Sequence, residues 1–508
     1  MEINIKNENL SVCSGVCRTK NNFLAETDVI VPDSKPDILK VLQLSARPKV
    51  TLCETRSGQV IVSGTVTFNI LYLADDEEKC VKSITSSCEF SNLIKDSNIG
   101  DSMLTFVDVD VSDLGVTIAN CRKLTLRATL ATSLRVYSQH NLELVSDIEG
   151  ACTKKSTVYS GTICAHSQSN ASITDSFELS SGKADIEEIL KTDAWVTDRE
   201  LKVIDDKAII KGNVRVTVLY KSQDGLEYAQ TELSFAHVLE VDGIRSDMTN
   251  EFSVKLTDID AAVSSNEEGR NNVIELSADL LLRVIARTRT ECQCVVDAYI
   301  PRGALECSRC QISVDDIETV IHNTSDFKEK ITLPASFPPI RAIYQTIARP
   351  FTESCYTEDG KIHISGYTEV YLLYLSSDEN SPVYSHKANI DFSVECDSPG
   401  CMLTPVAESQ LRNISYTIDS ENCVEIRGSI DINVQCIRTT NEEVIYDARM
   451  GEYTPPERPS IIVSCVSDGR SLWDIAKEYA VSQNDILLAN ALESSDAVMP
   501  AMALIIPK

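Results

Sequence analysis

The stretch Val60 to Tyr72, VIVSGTVTFNILY, decides the fold because the chain writes it three times. Val60, Val62, Gly64, Val66, Phe68, Ile70 and Tyr72 occupy alternate positions, with Ser63, Thr65, Thr67 and Asn69 between them. A period of two marks a half-buried strand. The same face returns as Ala208, Ile210, Gly212, Val214, Val216, Val218 and Tyr220, and again as Ile362, Ile364, Gly366, Thr368, Val370, Leu372 and Tyr374. One apolar face, one interior glycine and one closing tyrosine at fixed spacing predict a domain present in three copies. The glycine predicts a bulge, a bend or a close backbone approach.

Just upstream lies VPDSKPDILKVLQLSARP, residues 31–48. Ser34 and Asp37 read as a capping box, and Ile38, Val41 and Leu42 as the stripe of a short helix that stops before Pro48. The stripe returns as Ile186, Ile189 and Leu190, then as Ile340, Ile343 and Tyr344. Ala46-Arg47-Pro48 returns as Ala348-Arg349-Pro350, whereas the middle copy carries Ala194-Trp195-Val196 and is the most diverged. Downstream of each long strand come an acidic polar turn (Asp75 to Glu78, Gln223 to Glu227, Ser376 to Asn380) and a second long alternating run (Lys123 to Tyr137, Val273 to Ala286, Cys423 to Ile437). Two shorter β-like runs, Leu10 to Cys17 and Phe23 to Ile30, precede the first copy. Long alternating strands need a second sheet over their apolar face. The expected fold is mainly β, with three repeated β-sandwich-like domains over residues 1–152, 153–311 and 312–452, each with one small helix.

Composition narrows the function. At 508 residues the chain has room for three or four domains. Lys and Arg number 47 against 76 Asp and Glu, a net charge of −29. Nucleic acid and anionic membrane surfaces are approached through basic patches, so a basic protein partner suits this chain better. MEINIKNENL has no basic n-region or apolar h-region, and no run reaches the roughly 18 apolar residues of a spanning helix. The expectation is a cytosolic protein with no transmembrane segment, in which the 18 cysteines stay reduced.

After YTPPERP, residues 453–459, the period changes. Residues 453–460 read as a proline-rich linker holding the last unit, 461–508, off as a semi-rigid arm. Within that unit Ser471 with Asp474 and Ser482 with Asp485 read as two capping boxes, each opening a short helix, and β-like runs flank them. The module is thus a small α+β unit of strand, helix, helix, strand. Trp473 carries two readings, a core residue or an exposed anchor.

Motifs for nucleotide binding, serine hydrolysis or zinc proteolysis are missing, and the six histidines are scattered. No cofactor and no enzyme activity are expected. Cys292, Cys294, Cys307 and Cys310 are the one grouping with metal-like spacing, and four thiolates so placed fit a structural zinc. Free thiols on β-runs are the other reading.

Residues 461 to 507 resemble a LysM domain. Gly469 through Ala476 match that family's glycine, polar pair and Leu-Trp-x-Ile-Ala run, Asn490 its helix-two asparagine, and Pro500 to Pro507 its closing strand. The run VPDSKPDILKVLQ, with its downstream Ser-Gly and Leu-Tyr-Leu, resembles the SPOCS domain of spore-coat-associated proteins. Three such repeats before one LysM resemble the clostridial proteins of coat morphogenesis. The resemblance implies a non-enzymatic scaffold in the mother-cell cytoplasm, assembled on the forespore surface. There it docks through its LysM on the coat basement-layer ATPase and links other spore coat proteins to it. The alternative it implies is an anchor on the N-acetylglucosamine chains of cortex peptidoglycan. This copy departs from the sugar-binding pattern at Arg470, at Ala491 and at Ala501-Met502. Arg470, Leu472, Trp473, Asn490, Met499 and Met502 are therefore the candidate docking surface, with methionine suited to adaptable protein contacts.

Overall fold

Each alternating run becomes the central strand of a three-stranded antiparallel sheet. The computed structural model describes residues 3–77, 79–180, 182–376, 378, 383–400, 403–454, 459, 462–467, 470–494 and 501–507, with Glu318 described by its backbone alone. The first repeat contains β1 (Ile5–Ile30), β2 (Ile38–Arg56), β3 (Gln59–Ala74), β4 (Val81–Lys95), β5 (Leu104–Asn120) and β6 (Lys123–Ile148). The second contains β7 (Cys152–Glu178), β8 (Ile186–Ile204), β9 (Lys207–Ser222), β10 (Gly225–Glu240), β11 (Thr249–Ser264) and β12 (Val273–Tyr299). The third contains β13 (Leu305–Thr332), β14 (Ile340–Glu358), β15 (Lys361–Ser376), β16 (Val383–Asp397), β17 (Thr404–Ser420) and β18 (Cys423–Met450). In the first repeat the sheets run β2-β3-β4 and β1-β6-β5, and the other two repeat this order strand for strand.

The two sheets of a repeat face each other. Val60, Val62, Val66, Phe68, Ile70 and Tyr72 of β3 share one core with Leu124, Leu126, Ala128 and Leu130 of β6. This is the expected β-sandwich, closed by alternate residues of both central strands. The closing tyrosine is buried in all three copies. Its hydroxyl donates to the carbonyl of Pro36 from Tyr72 and of Pro338 from Tyr374, both at 3.2 Å, pinning the loop before the second strand.

That loop and strand correct the sequence reading, because no helix forms at residues 34–47. Residues 33–35 make a turn, with Lys35 N–H donating to Pro32 O at 2.9 Å, and Asp37 accepts from Arg122 at 2.6 Å. From Ile38 onward the chain is β2, whose register against β3 slips between Ile38 and Lys40 and again between Val41 and Gln43. Each slip inserts one residue and turns the following side chains to the other face. Two bulges three residues apart place Ile38, Val41 and Leu44 against one core and throw Leu42 outward, which mimics the spacing of a helical stripe. The bulges recur in β8 and β14, so the mimicry recurs as well.

The outward residue is not solvated. Leu42, Leu190 and Tyr344 meet one another together with Leu71, Leu219 and Leu373, one set from each repeat. A second contact among repeats forms where the outer hairpins β1–β6, β7–β12 and β13–β18 run on past their sandwiches, with strands of 26 to 28 residues against a usual ceiling of about ten. Bulges at Val16, Cys164 and Glu318 mark where each hairpin leaves its own sandwich. Beyond them β6, β12 and β18 each touch the other two, and so do β1, β7 and β13. Val145, Val295 and Ile445 form one apolar layer there, and Ile148, Ala298 and Ala448 belong to the same cluster. The three repeats therefore surround a pseudo-threefold axis. The boundary expected after residue 311 falls inside β13, since the third repeat begins at Leu305.

The repeated glycine has a packing role. Gly64, Gly212 and Gly366 stand directly opposite Phe90, Phe235 and Phe392 on the neighbouring strand. A Cβ at Gly64 would lie 2.8 Å from the Phe90 ring and inside the Lys49 carbonyl, and at Gly366 it would lie 2.9 Å from the Phe392 ring and inside the Phe351 carbonyl. The phenylalanine covers the space a side chain would fill, as aromatic residues do over strand glycines. Gly366→Ala is expected to lower stability by about 1–3 kcal/mol, the usual cost of overpacking, seen as a lower midpoint in thermal melts, while Gly360→Ala, in open space, fails through backbone strain alone.

Candidate docking site

The C-terminal module is built as its sequence reads: β19 (Ile462–Cys465), α1 (Leu472–Glu478), α2 (Gln483–Ala489) and β20 (Ala503–Ile506), with β19 and β20 paired antiparallel. Ser471 caps α1 and completes a capping box, Ser471 N–H donating to Asp474 Oδ2 at 2.9 Å and Asp474 N–H to Ser471 Oγ at 3.3 Å. The Ser471 hydroxyl, donating to Asp474 Oδ2 at 2.7 Å, and then the Ser471 N–H hold the Asp474 carboxyl below the usual carboxylate range. Ser482 caps α2 through Asp485 N–H at 3.0 Å. Val466, Leu472, Ile475, Ala476, Ile486, Leu504 and Ile506 form the core.

That core does not close within the module. Tyr299, the last residue of β12, belongs to it, its ring edge-on to Trp473 with centroids 5.0 Å apart. Tyr299 OH donates to Val481 O at 2.9 Å, and Arg302 N–H donates to Ala480 O at 2.8 Å. Trp473 is 8% exposed and donates its indole N–H to Asp297 Oδ2 at 2.8 Å. Lys477 reaches both oxygens of Asp297 at 2.7 and 2.8 Å, and Arg309 of β13 adds a contact at 2.6 Å. Helix α1 is therefore seated on the end of the second repeat. The expected arm is corrected accordingly: the module is docked rather than held off, and residues 455–458 and 460 of the linker lie outside the described residues. An aspartate occupies the same register in the other repeats, Asp147 and Asp447, each just past an equivalent bulge. The position of Tyr299 is filled there by Glu149 and Arg449, so the tyrosine selects the second repeat.

The six candidate residues do not form one free surface. Leu472 is core, and Trp473 is an anchor on the chain's own second repeat. Asn490 spends its amide on the fold, donating to Ile486 O at 2.8 Å and Ile505 O at 2.7 Å and accepting from Ile505 N–H at 2.7 Å. Arg470 pairs with Glu478. Met502 is half-buried against the core, and Met499 lies outside the described residues. Among the described residues, the large apolar side chains the module leaves in solvent are others: Leu488 of α2, 80% exposed, and the cross-strand pair Val463 and Ile505. Their signal in the sequence was the strand period itself, which puts Val463 on the face opposite to Ile462.

The four cysteines with metal-like spacing are not brought together. Cys292 and Cys294 are buried in the hub beside Val158 and Val314, whereas Cys307 packs beside Val295 in a separate cluster and Cys310 is exposed. Cys292 and Cys294 point to one side of β12 because alternate residues share a face. Among the described residues no three His, Cys, Asp or Glu side chains are placed to hold a metal. Burial raises the thiol pKa of both Cys292 and Cys294, and it takes Cys292 to about 11.

A thrice-repeated β-sandwich with an appended βααβ module defines a repeat protein. Its family follows from comparison. A family model described as SipL, SPOCS domain, matches residues 37–119, 185–264 and 339–419, and a LysM domain model matches residues 466–507. The chain is a protein of three SPOCS domains and one C-terminal LysM domain, similar in this plan to SipL, and both are non-catalytic domain types. Each SPOCS match covers the second to the fifth strand of a repeat and leaves the outer hairpin of the hub outside. No curated protein and no solved structure matches the chain. No helix among the described residues is long and apolar enough to cross a membrane.

Burial acts to raise the Asp297 pKa, but the hydrogen bonds from Lys477 and Trp473 outweigh it and hold the carboxyl below its ordinary range. A depressed folded-state pKa favours the docked state above the ordinary carboxyl range, and the gain is lost as pH falls through the depressed value. Asp297→Ala is expected to cost about 2 kcal/mol of docking, the scale of a hydrogen bond to a charged group. Trp473 fluorescence should shift to the red in this variant at neutral pH, and in the native protein only on acidification.

Proposed function

We propose that this chain is a non-enzymatic scaffold of spore coat morphogenesis, working in the mother-cell cytoplasm and assembled on the forespore surface. Its LysM module docks on the coat basement-layer ATPase, and the three SPOCS domains present surfaces to other coat proteins. The observation that carries this reading is the seat of α1 on Asp297 and Tyr299: a partner gripping the LysM module is mechanically continuous with the hub that joins all three repeats. A connector needs that continuity, whereas a catalyst does not. Leu488, Val463 and Ile505 supply the apolar contacts left to such a partner, and buried apolar anchors dominate docking energies. The net charge of −29 keeps the unassembled chain soluble and favours basic partner surfaces. A polymerised partner would offer neighbouring copies, so modest contacts gain avidity through effective concentration.

A second reading, an anchor on cortex peptidoglycan, is favoured by the LysM match over residues 466–507. The two readings separate when immobilised full-length protein is offered the purified basement ATPase and, in parallel, peptidoglycan sacculi. Retention of the ATPase is expected, weakened at least tenfold by Leu488→Glu, a change on an exposed helix face that leaves the fold intact. Retention of sacculi with no ATPase bound would favour the glycan reading instead.

A further inference from the structure

The middle repeat diverges from its neighbours at one structural point. In β2 and β14 the bulge opposite the repeated glycine inserts a single residue, Thr51 or Glu353. In β8 the same one-residue insertion leaves Asp198 and Arg199 both unpaired opposite Gly212, with Asp198 in the left-handed region at φ 50°. Arg199, at this insertion, lies near Asp431 of the third repeat and lines a crevice of about 690 Å³. The crevice runs between the second and third repeats and is also lined by Arg135 of the first. Its volume falls within the roughly 300–1,000 Å³ of ordinary ligand sites.

Its charged lining is three arginines, Arg135, Arg199 and Arg283, and four carboxylates, Glu200, Glu251, Glu408 and Asp431, and its donors and acceptors are incompletely used. The Arg199 side chain is 14% exposed, its nearest carboxylate is Asp431 at 3.7 Å, and it makes no hydrogen bond among the described residues. Arg135 is 17% exposed, with Glu408 at 3.4 Å and Asp108 at 3.9 Å, again beyond hydrogen bonds to any described residue. Each guanidinium carries five N–H donors in a planar fork. Two acceptors in the same wall, Asn250 Oδ1 and Gln435 Oε1, are buried and without a partner among the described residues. Native proteins leave few buried polar atoms unsatisfied, and a group of them around one crevice marks a place shaped for something else. Phe252 and Ile285 add apolar wall.

The complement of these groups is a carboxylate, which takes paired N–H donors from arginine, joined to N–H groups that can donate to the two amide oxygens. A peptide backbone carries such N–H groups at every residue. We propose that the crevice is a binding site for a short carboxylate-bearing peptide segment of a partner protein, with Arg199 and Arg135 on the carboxylate and Asn250 and Gln435 on the backbone. The site rests on the repeats alone and is independent of the LysM module. The carboxylate comes either from a chain terminus or from an acidic side chain, and the probes distinguish them.

Calorimetric titration of the full-length protein would use four probes: a neutral tetrapeptide with a free C-terminus, an amidated tetrapeptide containing one aspartate, an amidated neutral tetrapeptide, and inorganic phosphate. One or both carboxylate peptides should bind, with the amidated neutral peptide at least tenfold weaker. Arg199→Gln should weaken binding at least tenfold, while Arg215→Gln, whose side chain pairs with Glu232 elsewhere, should leave it unchanged. Should Arg199→Gln fail to fold by circular dichroism, Arg135→Gln serves in its place, since it removes the other guanidinium from the carboxylate and should weaken binding at least tenfold. Equal binding of all three peptides, binding unaffected by these variants, no peptide binding at all, or binding of phosphate in preference to both carboxylate peptides would each overturn the assignment.

Discussion

Three hairpins that outrun their own sandwiches hold this molecule together. Val145, Val295 and Ile445 are fully or nearly fully buried in one cluster that draws residues from all three repeats. Burying such a side chain contributes roughly 1.5–3 kcal/mol, available only when all three repeats are in place. The same logic operates at Leu71, Leu219 and Leu373, which lie on the outer face of a sheet whose inner face already closes a core. A strand covered on both faces reads as a continuous apolar run, and the burial of Ile70 through Ala74 without interruption is that situation. The repeats are thus parts of one body with a shared interior, and whatever the LysM module grips is fastened to all of them through Asp297 and Tyr299.

Bulges do most of the work of turning three sandwiches into one assembly. A regular strand can serve one core with its alternate residues. A strand that must serve its own core and then its neighbours' has to change face, and one inserted residue is the least that does it. Val16, Cys164 and Glu318 do this in the outer hairpins, and Leu42, Leu190 and Tyr344 do it in the inner sheets. Where the bulge of the middle repeat leaves two residues unpaired, Arg199 reaches a crevice between repeats that is lined by arginines and carboxylates.

The triplication, the strands, the interior glycine and the C-terminal module were all legible, because period two and capping boxes are local patterns. The helix expected at Ile38 was misread because two bulges three residues apart copy the spacing of a helical stripe. The hub was invisible: past Tyr137 the chain reads SQHNLE, polar and without alternation, because that part of β6 lies between one core and the next. Trp473 read equally as core or as an exposed anchor; it is buried, and its partner Asp297 lies in another repeat and carries no motif. Leu472 and Asn490 were placed on the docking surface because they belong to a familiar run, whereas the structure uses them to hold the module itself. The crevice draws its residues from three repeats, so no window of sequence contains it.

The central claim is that the repeats share one interior, and hydrogen exchange in Val295→Asp tests it most directly. A charge placed in that layer should reduce protection in β3, β9 and β15 together, because every repeat loses the surface that covers its hub residue. Loss of protection confined to the second repeat, with β3 and β15 as slow as in the native chain, would show that the sandwiches stand separately and contradict the account.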